Sequence, residues 1–125
     1  MFAYDHGVPG GKRVLIIDDE PDQVASLAAV LKLGGHRVEC ATNPLYAIDM
    51  ARKFHPEFVF LDIGLPYMDG YDALRRLKEH FQGARFFAVT GRAGSEARKK
   101  SIEAGFEDHL VKPVAITVIE KLLAS

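Results

Sequence analysis

Four short runs, apolar at every position, punctuate this chain, and each closes on a polar group. Val14-Leu15-Ile16-Ile17 ends at Asp18-Asp19, Phe58-Val59-Phe60-Leu61 at Asp62, Phe86-Phe87-Ala88-Val89 at Thr90, and Leu110-Val111 at Lys112-Pro113. A run without polar alternation belongs to a strand buried on both faces, as in a parallel sheet covered by helices. Between the runs the apolar period lengthens to three and four residues. Strands are expected near Arg13 to Asp18, Arg37 to Ala41, Phe58 to Asp62, Arg85 to Thr90 and Asp108 to Val111, with a helix after each.

The helices carry their own signals. Pro21 suits a first turn, Val24, Leu27, Ala28 and Leu31 share a face, and Gly34-Gly35 supplies the stop. Asn43-Pro44 is a cap followed by a first-turn proline, with Ala47, Ile48, Ala51 and Phe54 facing inward. Leu74, Leu77 and Phe81 stripe a third helix, and Ile116, Ile119 and Leu123 the last. In the fourth, Ser95 to Ala104, the charges Glu96, Arg98, Lys99, Lys100 and Glu103 leave little apolar face, which suits a helix able to move.

Right-handed crossovers turn this order into an α/β fold: a three-layer α/β/α sandwich around a five-stranded parallel sheet, with the flavodoxin-like order 2-1-3-4-5. Ligands of such sheets bind beyond the carboxyl ends of the strands, where the order reverses between the first and third. Asp18, Asp19 and Asp62 belong to those two strands, and Thr90 and Lys112 end the next two on the same side. Three carboxylates, a hydroxyl and an ammonium in one cleft can hold a divalent cation and a phosphoryl group.

Each residue alone also has a purely structural reading. Asp18-Asp19-Glu20-Pro21 can cap a helix, Asp62 can be a turn aspartate, and Thr90 a strand-terminal β-branched residue. Lys112-Pro113 is a backbone device with an expected cis bond. The joint pattern is more specific than any member.

Length and charge narrow the rest. The 125 residues fit one domain, placed at 12–125, with 1–11 read as a leader or linker remnant because Gly7-Val8-Pro9-Gly10-Gly11 ends a stretch without periodicity. A net charge of −1 shows no footprint for nucleic acid or a membrane surface, and no run reaches the roughly 20 apolar residues that membrane insertion needs. Cys40 is the only cysteine, which excludes an intrachain disulfide or thiolate cage and points to a reducing, cytoplasmic compartment. His6, His36, His55, His80 and His109 lack paired-ligand spacing, so a histidine zinc site is not expected.

With these residues in place, the chain resembles the receiver domain of bacterial two-component response regulators, including receivers joined to hybrid sensor histidine kinases. The resemblance runs from about Lys12 to the C-terminus. It rests on Ile16-Ile17-Asp18-Asp19-Glu20-Pro21, on Leu61-Asp62-Ile63-Gly64-Leu65-Pro66-Tyr67-Met68-Asp69-Gly70-Tyr71, on Val89-Thr90-Gly91, and on Ala104-Gly105-Phe106-Glu107-Asp108-His109-Leu110-Val111-Lys112-Pro113.

The resemblance implies a phosphorelay signalling domain in which Asp62 is the phosphoacceptor, taking a phosphoryl group from a phosphohistidine on a histidine kinase or histidine phosphotransfer protein. It implies Mg²⁺ ligated directly by Asp19 and Asp62, through water by Asp18, and by the backbone carbonyl of Gly64. Lys112 would pair with the phosphoryl oxygens and Thr90 would donate to one. The chain would catalyse its own phosphorylation and dephosphorylation without turning over an external substrate. His109 stands at a switch position usually held by Tyr or Phe, and is expected to be partly exposed and to change little. Output is expected on the surface of the fourth helix, fifth strand and fifth helix, with phosphorylation-dependent self-association as an accompanying expectation. Two other functions compete: a pseudo-receiver, opposed by the filled site positions, and an aspartyl hydrolase, which needs a second acid where Gly64 stands.

Overall fold

The computed structural model describes residues 11–64 and 69–125, so the leader reading of 1–11, apart from Gly11, and the motif residues Leu65, Pro66, Tyr67 and Met68 lie outside the described residues. Strands and helices alternate: β1 (Arg13–Ile17), α1 (Pro21–Leu33), β2 (Arg37–Ala41), α2 (Pro44–Ala51), β3 (Phe58–Asp62), α3 (Gly70–His80), β4 (Arg85–Thr90), α4 (Ser95–Ala104), β5 (Asp108–Val111) and α5 (Ile116–Ala124). All strand pairs are parallel, in the order β2-β1-β3-β4-β5. The expected topology is the one observed.

Strand geometry divides the core in two, because successive side chains leave a strand on opposite faces. Leu15, Ile17, Val59, Leu61, Phe86 and Ala88 pack with Ala47, Ile48, Leu74 and Leu77 of α2 and α3. Val14, Ile16, Phe58, Phe60, Phe87 and Leu110 pack with Val24, Leu31, Ile119 and Leu123 of α1 and α5. Phe60 and Phe87 stack with centroids 5.3 Å apart, filling the centre of the second cluster. Burying side chains of this size contributes about 1.5–3 kcal/mol each.

Element ends follow local chemistry. Asn43 caps α2 by accepting from Tyr46 N–H at 2.8 Å, and Asp69 caps α3 by accepting from Tyr71 N–H at 2.8 Å. Phe81 is buried as expected, but as the residue after α3 instead of its last turn, with φ −119° and ψ 63°. Gly105 ends α4 at φ 116°, a left-handed conformation that glycine adopts without strain. At the amino edge of the sheet, Arg85 forms a bidentate pair with Glu107 at 2.7 and 2.8 Å and lies over the Phe58 ring at 5.0 Å.

Gly70 opens α3 directly against the chain leaving β3, and a Cβ there would meet the Ile63 Cα at 2.8 Å. Backbone must move to admit it. Gly70→Ala should therefore lower unfolding free energy in urea by about 1–3 kcal/mol, and an unchanged midpoint would show that the β3–α3 turn is looser than this packing implies.

Candidate functional site

The polar groups closing the strands meet at the carboxyl edge of the sheet. Asp18 follows β1 directly, with its N–H bonded to the Ala41 carbonyl at 3.0 Å, and Asp62 is the last residue of β3. Both carry the strand parity of Ile16 and Phe60, so they project on the α1/α5 side. Lys112, following β5 with the parity of Leu110, projects there too. Its Nζ lies 2.9 Å from an Asp18 oxygen, 2.9 Å from a Glu20 oxygen and 3.0 Å from Asp62 Oδ2. The Lys112-Pro113 peptide is cis.

The carboxylates are held on their other sides by backbone. Asp62 Oδ1 accepts from Gly64 N–H at 2.8 Å, and Asp18 Oδ1 from Glu20 N–H at 3.0 Å. Asp18 and Asp62 are buried, at 8% and 7% exposure. Burial pushes the Asp18 carboxyl above its ordinary value of 3.8, more than the Lys112 ammonium and the Glu20 N–H pull it down. Burial disfavours the Lys112 ammonium too, but hydrogen bonds to Asp18, Glu20 and Asp62 outweigh that and hold its pKa above the ordinary lysine range.

Oxygens of Asp18, Glu20 and Asp62 lie within 4.8 Å of one another, a set of hard anionic donors. At that separation each carboxylate pair repels by roughly 3 kcal/mol in an effective dielectric near 20. A cation relieves the repulsion, and the Lys112 ammonium bridging all three marks the place. The donor set fits Mg²⁺ or Ca²⁺, both of which take oxygen ligands.

The structure thus brings Asp18, Asp62 and Lys112 together, and adds Glu20, which sequence reading had treated as part of a helix start. Glu20 occupies the N-cap position of α1 without capping it, and its carboxylate turns to Lys112 and Gln23 instead. Its adjacency to the acidic pair was the available signal. Asp19 is exposed and outside this carboxylate group, and Gly64 touches it through its N–H. A groove of about 530 Å³ between α1 and α5, lined by Leu27, Val30, Val114 and Ile116, runs up to Asp62 and Lys112.

Thr90 and His109 lie elsewhere. Their strand parity is that of Ala88, on the face opposite the carboxylates. Thr90 is buried, and its Oγ accepts from Arg92 N–H at 3.1 Å. His109 is not partly exposed as expected but 7% exposed, because α4 covers it and Ser101, itself at 0%, bonds to its ring. Sequence reading passed over Ser101; its one signal was a small residue one turn beyond Ala97 on the same side of α4.

Residues 14–124 match the family described as the response regulator receiver domain. The transcriptional regulatory protein PrrA of Mycobacterium leprae is 33% identical over 90% of this chain, and the chain spans 48% of that protein's length. The chain thus covers about half of the curated mycobacterial relatives it matches. A response regulator from Burkholderia pseudomallei, solved with a phosphorylated aspartic acid, calcium ion and citrate, superposes with a TM-score of 0.80 at 28% identity, covering 90% of this chain and 66% of that one. The receiver domain of a sensor histidine kinase from Pseudomonas aeruginosa, with magnesium coordinated in its active-site cleft, superposes with a TM-score of 0.76 at 27% identity, covering 90% and 94%.

The raised Asp18 pKa fixes the sign of a pH effect. The folded chain binds that proton more tightly than the unfolded chain, so Asp18 favours folding on the acid side and loses this contribution as pH rises through its folded value. In urea titrations from about pH 4 upward, the stability of Asp18→Asn relative to wild type should rise with pH. A relative stability that falls over that window would refute the assigned direction.

Proposed function

We propose a phosphoryl-accepting signalling role, from the premise that the chain belongs to the response regulator receiver domain family. The observation that bears most weight is the Lys112 ammonium 3.0 Å from Oδ2 of the buried, strand-terminal Asp62. An Asp62 carboxylate oxygen attacks the phosphorus of a phosphohistidine on a histidine kinase or phosphotransfer protein. The O–P bond forms, the P–N bond breaks, and its electron pair leaves with the imidazole, which takes up a proton.

Two anions must approach each other for this, and this chain's residues lower the barrier by charge and position. Lys112 passes from the carboxylates to the phosphoryl oxygens, and the Thr90 hydroxyl donates to another. The cation-holding residues are Asp18, Asp19, Asp62 and the Gly64 carbonyl; bound there, Mg²⁺ neutralises charge on carboxylate and phosphoryl oxygens. The hard oxygen donors of Asp18 and Asp62 support that assignment, and Asp19 and the Gly64 carbonyl enter it from the resemblance to receiver domains.

The domain is taken as 12–125, in the cytoplasm, and among the described residues no helix is long and apolar enough to cross a membrane. Output is read from α4, β5 and α5, where Ile102, Val111 and Val118 are exposed apolar groups suited to a phosphorylation-dependent contact with a partner or a second copy.

Incubation with Mg²⁺ and a small acyl-phosphate donor should add a single phosphoryl group by intact mass. Asp62→Asn should stay unmodified, and a chelator should abolish labelling of wild type. Labelling that survives Asp62→Asn removes the acceptor assignment; labelling indifferent to the chelator removes the metal.

A further inference from the structure

Away from the carboxylates, a second set of buried polar groups runs between the β4–α4 loop and α4. Thr90, His109 and Ser101 are 4%, 7% and 0% exposed, on the opposite face of the sheet from Asp62 and Lys112. Hydrogen-bond chemistry fixes the direction at the Arg92 carbonyl and, through it, the ring tautomer. The Arg92 carbonyl, 2.9 Å from His109 Nε2, can only accept, so Nε2 carries the ring proton and donates. In the singly protonated ring Nδ1 is then an acceptor, and the Ser101 hydroxyl 2.9 Å away donates to it. Both ring nitrogens have a partner, and neither meets a carboxylate among the described residues. Arg92 is gripped a second time, because its N–H donates to Thr90 Oγ at 3.1 Å.

We propose that Ser101 is the α4 end of a hydrogen-bonded relay, Thr90 hydroxyl to Arg92 backbone to His109 ring to Ser101 hydroxyl, that ties the β4–α4 loop to α4. The role of Thr90 at its first link rests on the phosphoryl-accepting reading above. A Thr90 hydroxyl drawn toward a phosphoryl oxygen shifts the atom that holds Arg92 N–H. Arg92 then moves or loses that bond, and its carbonyl draws on the His109 ring and so on Ser101. Ser101 is the only buried residue of α4, so this hydroxyl is the helix's buried polar anchor, beside the exposed Arg98–Asp108 pair at 3.1 Å that also ties α4 to β5. Ser101 is a positioning residue: it touches neither the acceptor nor the phosphoryl group.

Hydrogen exchange of the Arg92 amide reads the relay directly, with and without beryllofluoride and Mg²⁺ as a phosphoryl mimic. Ser101→Ala and His109→Phe should each speed Arg92 exchange by about five- to tenfold, while β1 and β3 amides keep wild-type rates. Ser101→Thr and Ser101→Val add the same bulk, but only Thr keeps the hydroxyl, so Thr should retain protection and Val should lose it. Long-range nitrogen spectra should place the His109 proton on Nε2. Beryllofluoride should alter exchange in both the loop and α4 of wild type, and in the loop alone of Ser101→Ala. Unchanged Arg92 exchange in the Ala and Phe variants, a proton on Nδ1, or an undiminished α4 response in Ser101→Ala each overturns the relay. A wild type that fails to bind beryllofluoride counts against the phosphoryl-accepting reading instead, and exchange in the free protein then decides the relay alone.

Discussion

Like charges brought to one edge of a sheet must be separated, protonated or neutralised, and this fold neutralises them with the ammonium of Lys112. Asp18, Glu20 and Asp62 come from two strand ends and a helix start, and the two that are buried, Asp18 and Asp62, carry the desolvation cost that a cation within hydrogen-bond reach offsets. The fifth strand delivers that cation. Its last residues carry Lys112 past the end of the sheet on the α1/α5 side, where the other strands direct their acids. The raised Asp18 pKa measures what remains of the burial penalty after the lysine has acted.

The two-residue period of the strands sorts the chemistry by face. Even-numbered positions of β1, β3 and β5 lead to Asp18, Asp62 and Lys112; even-numbered positions of β4 and odd-numbered positions of β5, on the other face, lead to Thr90 and His109. The charged cluster and the neutral relay are therefore on different sides of one rigid sheet. They approach only at its carboxyl edge, where Ile63 N–H bonds the Val89 carbonyl at 3.0 Å, immediately before Thr90. The sheet lies between them, with the stacked phenylalanines on the face of the carboxylates.

α4 is the helix the fold holds least by apolar contact. α3 buries Ala73, Leu74 and Leu77, whereas α4 buries only Ser101 and meets the sheet through a polar contact. A hydrophobic face adheres in many nearly equivalent positions, but a hydrogen bond is directional and fails over a fraction of an ångström. The buried end of α4 therefore depends on the geometry of one hydroxyl and its partner, with the Arg98–Asp108 pair holding the exposed side.

The sequence by itself determined the strand order, the helix starts and the placement of Asp18, Asp62, Thr90 and Lys112 at the carboxyl ends of strands, while α2 and α3 end before the Phe54 and Phe81 that the apolar period included. Those follow from local patterns: unbroken apolar runs, period changes, and a cap such as Asn43 that acts within a few residues. Tertiary structure alone decided that Glu20 turns from its helix to a lysine 92 positions away, that Asp19 stays outside the carboxylate group, and that His109 is buried against Ser101. Periodicity tells which side of an element a residue occupies. It does not tell which side chain from a distant element arrives opposite, because that depends on how helices of differing apolar content settle onto the two faces of the sheet.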